Sequence, residues 1–222
     1  MRIFIIKNLI FLMMLVPSLM WGSAHEDMEK AIVRRDAKAI IGLINSGMDI
    51  NTVDKSGNTL LIHVIRHDIP DAFEFFLQRK AHFNARNHIG ESALSIAAFL
   101  GRFNYVKRLV EAGADVNFYG WSPLTYAAFN GHAEIIEYLL KHGAEIDSLT
   151  PNGSSALFFA ALNGHKEVVE LLLKNGIDVS ITSDRGETAV DLAEQSRNTD
   201  IAGMIRNAGG RSGRSMTLEL KK

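Results

Sequence analysis

"AAFNGHAEIIEYLLKHGAEID" runs from Ala127 to Asp147, and "AALNGHKEVVELLLKNGIDVS", Ala160 to Ser180, repeats it almost letter for letter 33 residues later. A chain folded around one core has no reason to repeat itself at a fixed distance, whereas a chain of stacked units does. Working outward, glycines at 57, 90, 120, 153 and 186 lie 33, 30, 33 and 33 residues apart. A second series, Gly101, Gly131 and Gly164, follows three of these by 11 residues, and a third, Gly113, Gly143 and Gly176, follows the second by 12. Asp68 and Lys80 hold the equivalent places in the unit opened by Gly57, so that unit has drifted.

One unit can be read from Gly120 onward. Gly120 allows the positive φ of a tight turn. Ser122 is a helix cap and Pro123 sits at the first helical position, where a missing N–H costs nothing. Leu124, Ala127 and Ala128 recur at helical spacing, and the alanines let neighbouring helices approach closely. Gly131 ends this short helix. Ile135, Ile136, Leu139 and Leu140 make the apolar stripe of a second helix, stopped by Gly143. Isolated helices shorter than about 12–15 residues are marginal in water, so the stripes must be buried by stacking.

The five openings read "GNTLLIHVIRHD", "GESALSIAAFLG", "GWSPLTYAAFNGH", "GSSALFFAALNGH" and "GETAVDLAEQSR". They resemble the ankyrin family's "G-x-T-P-L-H-x-A-A-x-x-G-H", followed by "L-L-x-x-G-A". The resemblance covers about Glu26 to Gly210, with five units in register. It implies an all-α fold, an ankyrin-repeat solenoid of stacked helix-turn-helix units with short connecting fingers. Ser or Thr persists at the cap in Thr59, Ser92, Ser122, Ser155 and Thr188. The family's histidine after the leucine is replaced by Ile62, Ser95, Thr125, Phe158 and Asp191, so its hydrogen-bond network between repeats is expected to be missing.

The ends differ from the middle. Arg2 and Lys7 precede the apolar run "LIFLMMLV", Leu9 to Val16, and Gly22 and Ala24 stand at the small-residue spacing of a signal-peptide cleavage site. Residues 1–24 are therefore expected to be a signal peptide, placing the protein in the periplasm or outside the cell. A membrane span needs roughly 20 apolar residues, and Lys7 with Asn8 interrupts this stretch early. Residues 25–53 read as an N-terminal capping repeat, whose helix pair ends at Gly47. Residues 54–210 read as five repeats, the last a more polar C-terminal cap, and 211–222 as a flexible basic tail.

The composition of the 222 residues, 47% hydrophobic and 22% charged with a formal net charge of −1, is that of a folded protein with no broad electrostatic grip on nucleic acid or acidic lipid. The chain contains no cysteine, which removes disulfide and thiolate chemistry. No G-x-S-x-G elbow, phosphate-binding loop or H-E-x-x-H occurs. His63 and His67 are one helical turn apart, but a metal needs three or four converging ligands and only Asp68 is near in sequence. Position 63 aligns with Ile96, Tyr126 and Phe159, read here as packed inward. His132 and His165 recur with the repeat and read as structural. No catalysis, metal or cofactor is expected.

What a repeat stack offers instead is an extended surface for another protein, with the chain itself a monomer. By the resemblance, contact positions follow the paired alanines and flank the turn glycine. They include Arg66, His67, Phe99, Leu100, Phe129, Asn130, Leu162 and Asn163 on the helices, and Phe118, Tyr119 and Trp121 in one turn. The aromatic members make a patch unusually apolar for a wet surface. The expected function is a protein-binding module or scaffold. The alternatives are a periplasmic immunity protein that neutralises a delivered toxin, or a structural protein tethered by an uncleaved N-terminus. The finger holding these aromatics is short: Gly113 to Gly120 is 7 residues, against 10 for Gly143 to Gly153 and for Gly176 to Gly186. The deletion falls within "DVNFYGW", and is expected to open a notch over Phe99, Phe118, Tyr119, Trp121 and Phe129.

Overall fold

Hydroxyl caps set where the first helix begins in four of the five repeats opened by a turn glycine. Thr59, Ser92, Ser122 and Thr188 each accept a hydrogen bond from the backbone N–H three residues on, at 3.2 to 3.3 Å. Thr188 completes a capping box with Asp191. The computed structural model describes residues 24–213, so the expected signal peptide, apart from its last residue, and positions 214–222 of the expected tail lie outside the described residues.

The helices are α1 (24–33), α2 (Ala37–Asn45), α3 (Leu60–His67), α4 (Pro70–Gln78), α5 (Ala93–Phe99), α6 (Phe103–Glu111), α7 (Pro123–Asn130), α8 (Ala133–Lys141), α9 (Ala156–Asn163), α10 (Lys166–Lys174), α11 (Ala189–Gln195) and α12 (Thr199–Asn207). Among the described residues, strand pairing is limited to one bridge between Val53 and Thr59. The described residues form two compact units divided between Ala81 and His82. In the first, α4 packs on α2 and α3. In the second, α5, α7, α9 and α11 pack side by side as one layer, and α6, α8, α10 and α12 as another.

The repeat motif supplies the core. Leu94, Leu124, Leu157 and Val190 are at most 1% exposed, and the alanine pairs 97–98, 127–128 and 160–161 are completely buried between adjacent first helices. Ile135, Ile136 and Leu139 of α8 and Val168, Val169 and Leu172 of α10 line the seam with the second layer. Each such side chain contributes about 1.5–3 kcal/mol when taken out of water. In the first unit Val64 and Ile65 replace the alanines and are also fully buried.

Helix ends distinguish the drifted repeat. Gly131 and Gly164 close α7 and α9 in the left-handed region. Asp68 and Lys80 hold that same conformation, at φ 57° and 54°, without being glycine. A left-handed backbone costs an L-residue about 1–2 kcal/mol, less for aspartate, whose short side chain bonds locally. Lys80→Gly is therefore expected to stabilise the protein by about 0.5–1 kcal/mol, the relief of strain less glycine's extra chain entropy. Denaturant melts of the two proteins check this. In the unaltered chain, amides of α3 and α4 should exchange with solvent before those of α7 and α8. Equal protection of the two pairs would show that the strain is absorbed elsewhere.

The fingers share one construction. At 54–58, 87–91, 150–154 and 183–187 the first N–H of the tip donates to the last carbonyl, and the turn glycine's N–H donates back to the first. Among the described residues the remaining finger, between Asn117 and Trp121, lacks this closing pair. Its base is nonetheless intact. Asn117 Oδ1 accepts from the Glu145 N–H at 2.8 Å, as Asn84 accepts from Asp115 and Asp147 from Asp178. The three absent residues are therefore those of the tip.

Two expectations need correction. The hydrogen bonding lost with the family's histidine is replaced in part. Ser95 and Thr125 meet the hydroxyls of Ser92 and Ser122 at 3.2 and 3.0 Å, and Ser122 Oγ also reaches Ser148 Oγ, in the finger that leads to the next repeat, at 3.0 Å. At Ser155 the opposing residue is Phe158, and the buried Ser155 hydroxyl has no hydrogen-bond partner. Ser122→Ala is therefore expected to cost about 1 kcal/mol, whereas Ser155→Ala, which loses no bond, should cost close to nothing. Equal losses in thermal melts would contradict the assignment. The second correction concerns the tail, which is not loose from its first residue: Ser212 Oγ and the Gly213 N–H donate to Asp191 at 2.7 and 2.8 Å.

Candidate functional site

Five aromatic rings meet on the layer of first helices in the second unit. Phe99 closes α5; Tyr126 and Phe129 sit one turn apart on α7; Phe159 sits on α9; and Trp121 leads from the short finger into α7. Trp121 is the hub, with ring centroids 4.5 Å from Phe159, 5.2 Å from Tyr126 and 5.9 Å from Phe129. Phe129 lies 5.9 Å from Phe159 and stacks on Phe99 at 6.3 Å, while Phe99 meets Tyr126 edge to face at 5.8 Å. These separations and tilts are those of attractive ring pairs. All five rings are half-buried, so the cluster is both packed and presented.

The polar edge is acidic. Tyr126 Oη donates to Glu91 Oε1 at 3.3 Å, and Asn87 Nδ2 donates to Glu91 Oε2 at 2.8 Å, which fixes the carboxylate beside the rings. Helices α5, α7 and α9, "ALSIAAF", "PLTYAAFN" and "ALFFAALN", carry no charged residue.

The structure sorts the residues expected from sequence. Phe99, Trp121 and Phe129 come together as anticipated. Tyr126 and Phe159, expected to pack inward, are instead half-buried members of the patch. Their signal was in the sequence: each lies one helical turn before position 129 or 162, so it shares the face already assigned to those positions. Phe118 and Tyr119 do not join the cluster. Arg86 lies 4.5 Å over the Phe118 ring and donates to the carbonyls of Gly90 and Tyr119, while the Tyr119 ring projects into solvent, 81% exposed. The expected floor of the notch therefore loses two rings and gains two others. Leu100 is exposed and Leu162 half-buried beside the patch positions.

Asn130 and Asn163 have a structural duty not foreseen in the sequence. Their Nδ2 groups donate to the Phe99 and Phe129 carbonyls at 2.6 and 2.8 Å, satisfying the end of the preceding repeat's first helix. His132 and His165 reach the same two carbonyls through Nε2, at 3.1 and 2.9 Å. Each such pair latches one repeat to the one before it.

Arg66 and His67 belong to the first unit, and the aromatic cluster of the second is complete without them. His63 Nε2 lies 3.0 Å from Asp54 Oδ2. Burial works to raise the Asp54 pKa, but hydrogen bonds from Asn58, Ser56 and His63 prevail and hold it at about 2. Burial and the nearby charges of His63, Arg35 and Arg66 lower that of His67, which favours the neutral ring. Asp191, in the C-terminal repeat, is lowered as well: burial opposes this, but Ser212, Gly213 and Thr188 all donate to it. Among the described residues no group of three or more His, Asp or Glu could hold a metal ion, and no helix is long and apolar enough to cross a membrane.

Comparison with known proteins agrees with the helix pairs and the period. A family model for ankyrin repeats (three copies) matches residues 70–150 and 142–211, more than half of the chain. The mouse B-cell lymphoma 3 protein homolog is 37% identical over 79 residues, 35% of this chain and 18% of the mouse protein. An ankyrin repeat protein of Rickettsia bellii is 34% identical over 68 residues, 30% of this chain and 37% of that one. This chain thus aligns with well under half the length of either relative. The crystal structure of an ankyrin repeat domain from Acinetobacter baumannii superposes with a TM-score of 0.70 at 26% identity, covering 83% of this chain and 98% of that one.

Proposed function

We infer a binding function from a plain premise: the chain belongs to the ankyrin-repeat family. Its fold class is an all-α repeat solenoid, and ankyrin repeats generally mediate contact between proteins. We propose that this chain is a protein-binding module whose contact surface is the aromatic patch of Phe99, Trp121, Tyr126, Phe129 and Phe159. The carrying observation is that five rings linked by ring contacts are only half-buried on and beside helices that bear no charge. An apolar patch of this kind marks an interaction site more often than chance exposure, and aromatic side chains are the usual anchors of interfaces. The truncated finger supports the same reading, because it removes a tip beside Trp121 where its siblings have one.

The proposal includes export. It rests on the charged, apolar and small-residue segments of 1–24, and places the module in the periplasm with His25 as its first residue. In that compartment it acts by occupancy, with no reaction of its own. The test is affinity capture from the cell envelope with the full-length chain as bait, beside a Trp121→Ala, Phe129→Ala bait. A protein retained by the first and lost by the second is the expected partner. Equal recovery on both baits would move the interface off the patch. N-terminal sequencing of the envelope form checks export, and a retained Met1 would overturn it.

A further inference from the structure

We propose that the anchor of the bound partner is a cationic side chain, arginine or lysine, laid against the half-buried rings of Trp121 and Phe129 with Glu91 as its counter-charge. This deepens the reading of the patch as a docking surface and rests on it. The argument is complementarity. A purely apolar partner needs an apolar floor with an apolar rim. This floor is five aromatic rings, with the aliphatic Leu100 and Leu162 only beside it, and π-faces attract cations as aliphatic surfaces do not. Its rim holds a carboxylate, tied to the rings by the Tyr126 hydroxyl and to the finger by Asn87, so negative charge is fixed where a bound cation would need it. Helices α5, α7 and α9 contain no lysine or arginine that would repel one. The fold uses the same chemistry internally at Phe118, where Arg86 lies 4.5 Å over the ring. An aliphatic anchor would leave Glu91 facing hydrocarbon, and an acidic one would be repelled by it.

The experiment uses the full chain and three blocked tripeptides: tri-arginine, tri-leucine and tri-glutamate. Each is titrated while the Trp121 indole N–H resonance is followed by NMR. Tri-arginine is expected to shift that resonance saturably, tri-glutamate not at all, and tri-leucine at least about tenfold more weakly. Raising the salt concentration should weaken tri-arginine binding, as it does for an exposed charge pair. Glu91→Gln, which keeps an acceptor for Tyr126 while removing the charge, should raise the tri-arginine Kd at least about fivefold. Phe129→Leu keeps apolar volume but removes a π-face, and should weaken tri-arginine while sparing tri-leucine. It provides the second test should Glu91→Gln unfold. Tri-leucine binding as well as tri-arginine would overturn the cation anchor and leave the docking surface standing. No shift with any peptide would also overturn it, and the captured partner's loss on the double-variant bait would then decide the docking surface separately.

Discussion

Trp121→Ala combined with Phe129→Ala should weaken partner binding by at least ~2 kcal/mol, the loss typical of truncating interface anchors. The two residues are chosen because Trp121 touches three of the other four rings and Phe129 three, so together they hold the patch in place. Those same contacts mean that the double variant loses stability as well as binding surface. Complete burial lost in an aromatic-to-alanine change costs about 3–5 kcal/mol, and these half-buried rings should lose roughly half of that each. Binding must therefore be compared at a temperature where helical circular dichroism shows both proteins folded. Trp121→Phe supplies the control: it keeps a ring against Phe159, should lower the melting temperature less, and retains most of the affinity. Undiminished binding by the folded double variant would show that the short finger is only a shortened loop.

The repeat was legible because its signals are local and redundant. A hydroxyl cap, a leucine, an alanine pair and a glycine at fixed offsets each report backbone geometry on their own, and three units carry all four together. Even the drifted positions kept their geometry: Asp68 and Lys80 adopt the glycine conformation that the register demanded. The finger deletion and its place within "DVNFYGW" were visible from spacing, but which part of the finger it shortens was not. Asn117 bonding to Glu145 and Gly143 had to be seen before the loss could be assigned to the tip.

The binding patch was legible only in part, because a repeat pattern fixes position along a helix better than it fixes what a neighbouring unit covers. Tyr126 and Phe159 align with buried Ile96, yet are only half-buried, their rings being larger than isoleucine. Phe118 and Tyr119 sat in the right finger, but Arg86, 32 residues before Phe118 in sequence, draws one away from the patch by a contact no local pattern encodes. Asn130 and Asn163 read in the sequence as partner contacts, and only the Phe99 and Phe129 carbonyls reveal that here they close helix ends.

Those closures lead to the other large effect, at Gly131. Its φ of 79° alone would cost an alanine about 1–2 kcal/mol. A Cβ there would also stand 2.6 Å from His165 Nδ1, inside any permitted contact, so the imidazole must leave. With it goes the bond from Nε2 to the Phe129 carbonyl, worth about 1 kcal/mol, together with the packing of the ring on the turn. Gly131→Ala is thus expected to destabilise by about 3 kcal/mol. Gly143 is the matched control: its φ is 87°, but nothing lies within 4 Å of its missing Cβ, so Gly143→Ala should show the backbone strain alone. A cycle with His165→Ala separates the two parts. Once the ring is gone, Gly131→Ala should cost no more than Gly143→Ala, giving a coupling of about 1–2 kcal/mol between Gly131 and His165. Additive losses in that cycle would mean that the histidine does not latch one repeat to the next, and that the "GH" of the motif records only the turn.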